Sequence, residues 1–290
     1  MEAQLRKIIL DATGADDISD SSTIQSLWSG YGSLDRYSLS DSQYPSVIVK
    51  HVRLPKQSQH PRGWNTDISH QRKLRSYQIE TAWYQHWADQ CGDGCRVPKT
   101  LGMEQDEDGF IMVLEDLTTS GYPSLIDEAA WTEICACLKW LANFHATFMG
   151  KSPEHLWEVG TYWNLDTRPD ELQAMEESVL KQAASLLDDR LNNAPFQTFV
   201  HGDAKLANFC FSDDGTKVAA VDFQYVGGGC GMKDVAYFIS SCLNETECER
   251  HETELLSIYF TELKVALGRL QPEINAAAVE AAWRPLYPIA

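Results

Sequence analysis

Basic residues are what this chain is short of. Its 290 residues carry 24 Lys and Arg against 42 Asp and Glu, a formal net charge of −18. Nucleic acids and anionic membranes are bound through basic patches, so neither is expected as a partner. Long apolar runs are missing as well, and nothing approaches the ~20 residues that a membrane-spanning helix needs. The opening MEAQLRKIILDATG lacks a basic start followed by a long apolar core, so no secretory leader is expected there. None of the eight cysteines belongs to a paired C-x-x-C set with His at zinc spacing. Several lie inside apolar stretches, where Cys behaves as a small hydrophobe, and reduced thiols in the cytoplasm are the expectation. There is no internal repeat and no low-complexity segment. What remains is an ordinary globular composition, 43% hydrophobic and 10% aromatic, long enough for one large or two small domains.

The chemistry concentrates between His201 and Gln224, HGDAKLANFCFSDDGTKVAAVDFQ. After the apolar lead Phe199-Val200, Asp203 and Asn208 stand five residues apart. A second apolar run, Val218-Ala219-Ala220-Val221, delivers Asp222. Between them Ser212-Asp213-Asp214-Gly215-Thr216 reads as a hairpin turn with Asp-Gly at its tip. Such a hairpin returns Asp222 to Asn208, with Asp203 beside them. Oxygen-bearing side chains gathered in this way suit a hard cation such as Mg2+ bound to phosphate.

This arrangement resembles the catalytic centre of the protein-kinase-like phosphotransferases, in which H-R-D-x-x-x-x-N is followed by D-F-G. Here the words are His201-Gly202-Asp203-Ala204-Lys205-Leu206-Ala207-Asn208 and Asp222-Phe223-Gln224. Gly202 in place of Arg and Gln224 in place of Gly point to the small-molecule branch: aminoglycoside phosphotransferases, choline and ethanolamine kinases and the ecdysteroid-kinase-like group. The resemblance runs from about Trp28 to Phe238. It implies an α+β, bilobal protein-kinase-like fold, with a small antiparallel-sheet N-lobe containing one key helix and a mainly helical C-lobe. It also implies transfer of the γ-phosphoryl group of ATP, with Mg2+, to a hydroxyl of a small-molecule substrate. Choline-like amines, aminoglycosides, sugars and steroid-like alcohols are all within reach of this architecture, and the acidity of the chain tilts slightly towards amines. In this scheme Asp203 orients the hydroxyl and takes its proton, Lys205 neutralises the transferring group, and Asn208 and Asp222 hold metal. The competing reading is a non-catalytic kinase-like module that binds a nucleotide or metabolite.

The rest of the N-terminal half fits the same plan. Residues 1–20 read as a short amphipathic helix striped by Leu5, Ile8 and Ile9, followed by an acidic turn at Asp16-Asp17. Ile24 to Leu39 reads as strand, glycine turn and strand; Gly30 and Gly32 would let backbone N–H groups approach the triphosphate. Ser46 to Val52 is strongly β-prone, and its V-I-V-K word resembles the kinase V-A-I-K word, which makes Lys50 the nucleotide lysine. Leu54 to Ser69 reads as a Pro- and His-containing loop. The helical stretch after it carries Glu80, which by resemblance holds Lys50. A short strand to Gly102, an acidic turn over 104–109 and a buried strand over 110–114 then lead into a hinge. By the kinase plan, main chain of residues 115–118, including Glu115 and Leu117, contacts adenine. The lobes divide there, into 1–116 for nucleotide and 117–290 for catalysis and substrate.

In the second lobe, Glu128 to Met149 reads as a fully buried helix, and His145 within it as a hydrogen-bonded core histidine. Trp157, Tyr162 and Trp163, with Glu158 and Asp166 nearby, form a candidate aromatic box for an amine. The alternative is plain core. Four glycines in the five residues 227–231 read as a flexible or sharply bent loop. Asp234 opens the next helix, either as its cap or, by resemblance, as a support for the 201–203 backbone. The C-terminal part reads as helical packing with acidic faces.

Overall fold

The computed structural model describes residues 2–27, 30–53, 67–106 and 109–290. In chain order the elements are α1 (Glu2–Thr13), β1 (Asp17–Ser26), β2 (Gly32–Ser40), β3 (Ser46–Arg53), α2 (Asp67–His86), β4 (Thr100–Asp106), β5 (Gly109–Glu115), α3 (Trp131–Phe148), α4 (Pro169–Ala174), α5 (Val179–Asn192), β6 (Thr198–Val200), β7 (Phe209–Phe211), β8 (Val218–Ala220), β9 (Gly227–Gly229), α6 (Met232–Cys242), α7 (Glu245–Leu270) and α8 (Ala276–Trp283). The first five strands form one antiparallel sheet in the order β1-β2-β3-β5-β4. The remaining strands make two short pairs, β6 with β9 and β7 with β8, among the helices. This is the bilobal α+β architecture expected. All eight cysteines are free thiols. Among the described residues no helix is long and apolar enough to cross a membrane.

Strand alternation decides what each face of the sheet does. Val47 and Val49 on β3, with Val113 on β5, point to the outer face, where Ile9 of α1 covers them. Leu5 and Ile8 pack on the same cluster, so the N-terminal helix is the lid of the sheet's outer side. The opposite face, including Val52 and Met112, joins the main core, and it is on this face that Lys50 emerges. Period two therefore puts the only lysine of β3 on the side that faces the helical lobe.

That main core is continuous across the two lobes. Trp83 of α2 stacks on Phe223 at 4.5 Å between ring centroids and meets Phe144 and Phe148 of α3 at 5.7 and 5.5 Å. Phe148 in turn stacks on Phe199 of β6 at 4.8 Å. Aromatic contacts of this kind add about 0.5–1.5 kcal/mol each beyond area burial. They fix α2 against the segment that carries Asp222.

Several elements differ from the sequence reading. β1 begins at Asp17, where a turn was expected, and nearly all of it is exposed. β4 runs through Glu104 and Gln105 to Asp106, which the acidic composition had assigned to a turn. Both are the edge strands of the sheet, so they carry no apolar alternation to betray them. The expected loop over 54–69 lies outside the described residues up to 66, and Asp67 already opens α2. The glycines after Tyr225 are not a flexible loop: Gly227–Gly229 is strand β9, paired with β6. Crowding explains the composition. A Cβ on Gly227 would sit 2.2 Å from the Trp157 carbonyl oxygen, and one on Gly160 would sit 2.6 Å from the Gly227 nitrogen. Gly227→Ala is therefore expected to lower unfolding free energy by about 1–3 kcal/mol in urea titrations. Gly268→Ala, in the last turn of α7 with nothing within 4 Å of the added carbon, is expected to raise it by up to about 0.5 kcal/mol.

Candidate active site

The β7–β8 hairpin forms where the sequence placed it, with Gly215 at φ +68° in its turn and Phe209 opposite Ala220. Its open end brings Asn208 and Asp222 together, for the Val221 N–H donates to the Asn208 carbonyl at 3.0 Å. The Asn208 amide donates to the Asp203 carbonyl at 2.8 Å and to the Asp203 carboxylate at 3.0 Å. Lys205 donates to the same carboxylate oxygen at 2.8 Å. Burial pulls the Lys205 ammonium down, but Asp203 more than offsets it, and the net shift is upward. The hydroxyl of Tyr237, on α6, is also beside Asp203; burial first and then the Asp203 charge push that phenol up.

A buried polar frame holds this loop from behind. Asp234 accepts from the N–H groups of His201 at 2.6 Å and Gly202 at 2.9 Å, and from His145 Nε2 at 3.1 Å. Its side chain does not cap α6, so its work is the support of the 201–203 backbone. His145 is fully buried and hydrogen-bonded on its other nitrogen to the Tyr259 hydroxyl at 2.7 Å, the core histidine the sequence suggested. His201 is fully buried as well: Nε2 donates to the Val221 carbonyl at 3.0 Å, while Nδ1 accepts from the Asp203 N–H at 3.3 Å. A carbonyl can only accept, which fixes the proton on Nε2. His201 thus ties the loop at Asp203 to the strand end that precedes Asp222.

Across the cleft, Lys50 Nζ is 2.5 Å from Glu80 Oε2, with both residues buried. Burial pushes the Glu80 carboxyl up, against the pull of the Lys50 charge. Lys50 also lies 3.9 Å from Asp222 Oδ1. That oxygen is buried and has no hydrogen-bond partner, and Asp222 adopts φ +66°, a left-handed conformation. A buried carboxylate oxygen without a donor is costly, and backbone strain of this kind accompanies sites where a ligand completes the arrangement. The donor set fits Mg2+ carried on phosphates, which is typically bound through one or two carboxylates rather than by a protein cage. Among the described residues, no group of three or more His, Cys, Asp and Glu is arranged to hold a metal.

The other expected positions are placed as follows. Gly30 and Gly32 lie at the β1–β2 turn with φ +77° and +133°, and a Cβ on Gly32 would run into the His51 carbonyl. The Gly30 N–H is already bonded to the Leu27 carbonyl at 3.2 Å. Trp28 and Ser29, at the same turn, lie outside the described residues. At the hinge, Glu115 turns its carboxylate to Arg96 at 2.5 Å and its N–H to the Lys99 carbonyl at 2.9 Å. Burial would raise the Glu115 carboxyl, but Arg96 and its other donors outweigh it and hold it below its ordinary range. The Leu117 carbonyl accepts from the N–H groups of Gly121 and Tyr122.

The sequence reading passed over several residues. Asp116 accepts from Arg36 of β2 at 2.7 Å, Ser46 of β3 at 2.6 Å and the Thr118 N–H at 3.0 Å, pinning the hinge to the sheet. These donors overcome the effect of burial and keep its carboxyl below the ordinary value. Lys73 reaches Gln224 Oε1 at 2.8 Å, and its spacing of seven residues from Glu80 was the available signal. The candidate aromatic box holds a cation of its own. The Arg168 guanidinium lies 3.8 Å from the Tyr162 ring centroid and 4.8 Å from that of Trp163. One face of each ring is thus met by the protein's own cation, while Trp163 stays 57% exposed.

Residues 147–272 match the ecdysteroid kinase-like family, a stretch that includes Asp203, Lys205, Asn208, Asp222 and Asp234. No curated protein matches the chain by sequence. Among solved structures, an aminoglycoside phosphotransferase, APH(3'')-Id from Streptomyces rimosus, in complex with ADP and streptomycin, aligns over 99% of each chain with a TM-score of 0.51 at 15% identity. A protein described as a fructosamine-3-kinase from Haemophilus somnus aligns over 98% of this chain and 96% of its own, at 15% identity and a TM-score of 0.48. An aminoglycoside-3'-phosphotransferase of type VIII aligns over 100% and 99%, at 16% identity and a TM-score of 0.47. The chain therefore has the fold of the protein-kinase-like small-molecule phosphotransferases, and its ecdysteroid kinase-like match lies on residues 147–272.

Proposed function

We propose that the protein is an ATP- and Mg2+-dependent kinase that phosphorylates a hydroxyl of a small molecule. The observation that carries this reading is the buried Lys50–Glu80 pair facing the unpartnered buried oxygen of Asp222. Residues 1–116 then form the nucleotide lobe and 117–290 the catalytic and acceptor lobe, with main chain at 115–118 against adenine. Lys50, held by Glu80, binds the α/β-phosphates beneath the Gly30–Gly32 turn. Asn208 and Asp222 hold the metal, which supplies charge neutralisation between the phosphates when bound. Asp203 orients the acceptor hydroxyl and receives its proton; its Oδ2 is already fixed by Lys205 and Asn208, so the carboxylate cannot swing. Lys205 offsets charge on the group in transit.

The acceptor side bears on substrate class. Tyr162 donates its N–H to the Gly202 carbonyl at 2.7 Å, which sets the Tyr162–Trp163 pair against the loop of Asp203. A choline-like amine seated there would share those rings with the Arg168 guanidinium, which is itself paired with Glu171. Sugars and other alcohols without a cationic centre suit the site better. A panel of hydroxylated metabolites assayed for ATP turnover tests this directly, and preferential phosphorylation of choline or ethanolamine would overturn it.

Two substitutions test the mechanism. Asp203→Asn is expected to lower kcat by about 10²–10⁴-fold with ATP affinity nearly unchanged; a fully active variant would remove Asp203 from the chemistry. Asp222→Ala is expected to abolish the Mg2+-dependent rise in Tm on adding ATP, while retaining the cooperative melt. Neither acceptor phosphorylation nor slow ATP hydrolysis in the wild-type protein would leave only the non-catalytic module.

A further inference from the structure

Lys73 has no part in the scheme above, yet it shares its cleft. It stands seven residues before Glu80, two turns towards the N-terminus of α2 on the same helical face. Its Nζ lies 2.8 Å from Gln224 Oε1 and 4.6 Å from the Tyr77 ring centroid. Lys50 Nζ approaches that same ring at 5.7 Å. Tyr77 therefore sits between two ammonium groups, and its own buried hydroxyl has no hydrogen-bond partner. The partners of the two lysines differ in kind. Lys50 is matched by a buried carboxylate, whereas Lys73 rests on a neutral amide. Gln224 is itself anchored, for its side chain also accepts from Ser76 Oγ at 3.3 Å and its carbonyl from Trp157 Nε1 at 2.9 Å.

We propose that Lys73 is a second phosphate-binding lysine, which exchanges the Gln224 amide for the γ-phosphoryl group of ATP and stays with that group during transfer. This rests on the phosphotransferase reading and adds a residue to it. Position decides which phosphate. Lys50 is tied to Glu80, whereas Lys73 is two helical turns further along and bonded to Gln224, two residues after Asp222. The γ-phosphoryl group must lie between Asp222 and Asp203 if one holds metal and the other the acceptor. Exchange is easy because a hydrogen bond between an ammonium and a neutral amide is weaker than one to an anionic oxygen. In the free protein, burial first and then Lys50 lower the Lys73 ammonium to about 8, opposed by Asp222, Glu80 and Asp203. A polyphosphate would reverse that balance and hold Lys73 protonated.

The test compares Mg2+·ATP with Mg2+·ADP on the full chain by titration calorimetry, in wild type, Lys73→Met and Lys73→Arg. Lys73→Met is expected to weaken ATP binding about tenfold while leaving ADP binding within twofold, and Lys73→Arg to keep most of the ATP affinity. Repeating the ATP titrations at pH 8 in buffers of different ionisation enthalpy should show proton uptake in wild type that Lys73→Met lacks. Unchanged affinities, or equal losses for ATP and ADP, would overturn the proposal while leaving the kinase reading intact. A wild-type protein that binds neither nucleotide would remove both. If Lys73→Met does not fold, Lys73→Gln, which keeps a polar contact with Gln224, is read against the same ATP-to-ADP ratio.

Discussion

Two opposite charges buried 2.5 Å apart, on Lys50 and Glu80, constrain the rest of this molecule. Removing either partner from such a pair leaves an uncompensated buried charge, a cost of about 3–5 kcal/mol. The pair can form only if three separate packing problems are solved together. β3 must keep its alternation, so that Lys50 leaves the sheet on the face opposite Val47 and Val49. α2 must be docked at one rotation, so that Glu80 faces the sheet. Trp83, three residues on from Glu80, sets that rotation by stacking on Phe223. The same docking sends Lys73 to Gln224 and lets Arg72 donate to the Thr167 carbonyl at 2.7 Å, contacts that join α2 to the helical lobe.

The left-handed conformation of Asp222 is tolerable for the same reason. A residue with a Cβ at φ +66° persists only where its neighbours over-determine it. Here Val221 is bonded on both sides, through its N–H to Asn208 and its carbonyl to His201, and Phe223 is fully buried in the aromatic core. Asp234 completes the frame by accepting from the His201 and Gly202 N–H groups, which would otherwise be orphaned, and His145 holds Asp234 in place by donating to it. The site is thus rigid beneath and polar above, which is what chemistry by positioning and charge stabilisation demands.

Much of this was readable from the sequence because it is local. The Asp-Gly hairpin, the strand around Lys50 and the spacing from Asp203 to Asn208 follow from turn chemistry and periodicity over a few residues. Glu80 was reached by resemblance, not by pattern. What escaped depends on distant partners. The first part of β1 and the far end of β4 are polar stretches of edge strand with little alternation, so they are strands only because β2 and β5 lie beside them. Gly227 to Gly229 look like slack chain, and only the approach of Trp157, Glu158 and Gly160 shows that the missing side chains of Gly227 and Gly228 make room for backbone, while Gly229 faces the Val200 side chain. Arg168 gave no hint that it would stand over the rings of Tyr162 and Trp163, six and five residues earlier. Asp116 was read as part of a hinge, when its carboxylate is the clasp between that hinge and two strands.

Electrostatics brings the last of these observations together. With a formal charge of −18, the protein repels polyphosphate from most of its surface. Lys50, Lys73 and Lys205 offset that field at the cleft, and Arg72 and Arg168 lie beside Tyr225, whose environment also contains Asp203. Burial, then Tyr162, push the Tyr225 phenol up to about 12, and the two arginines oppose that rise. The positive groups are therefore gathered on both sides of Asp203, towards the nucleotide and towards the acceptor. These cations do not stand alone: Lys50 has Glu80 and Asp222 close by, Lys205 has Asp203, and Arg72 and Arg168 share Glu171. The overall acidity therefore says little about this cleft, where cations and carboxylates alternate and Arg168 stands on one face of the Tyr162 ring.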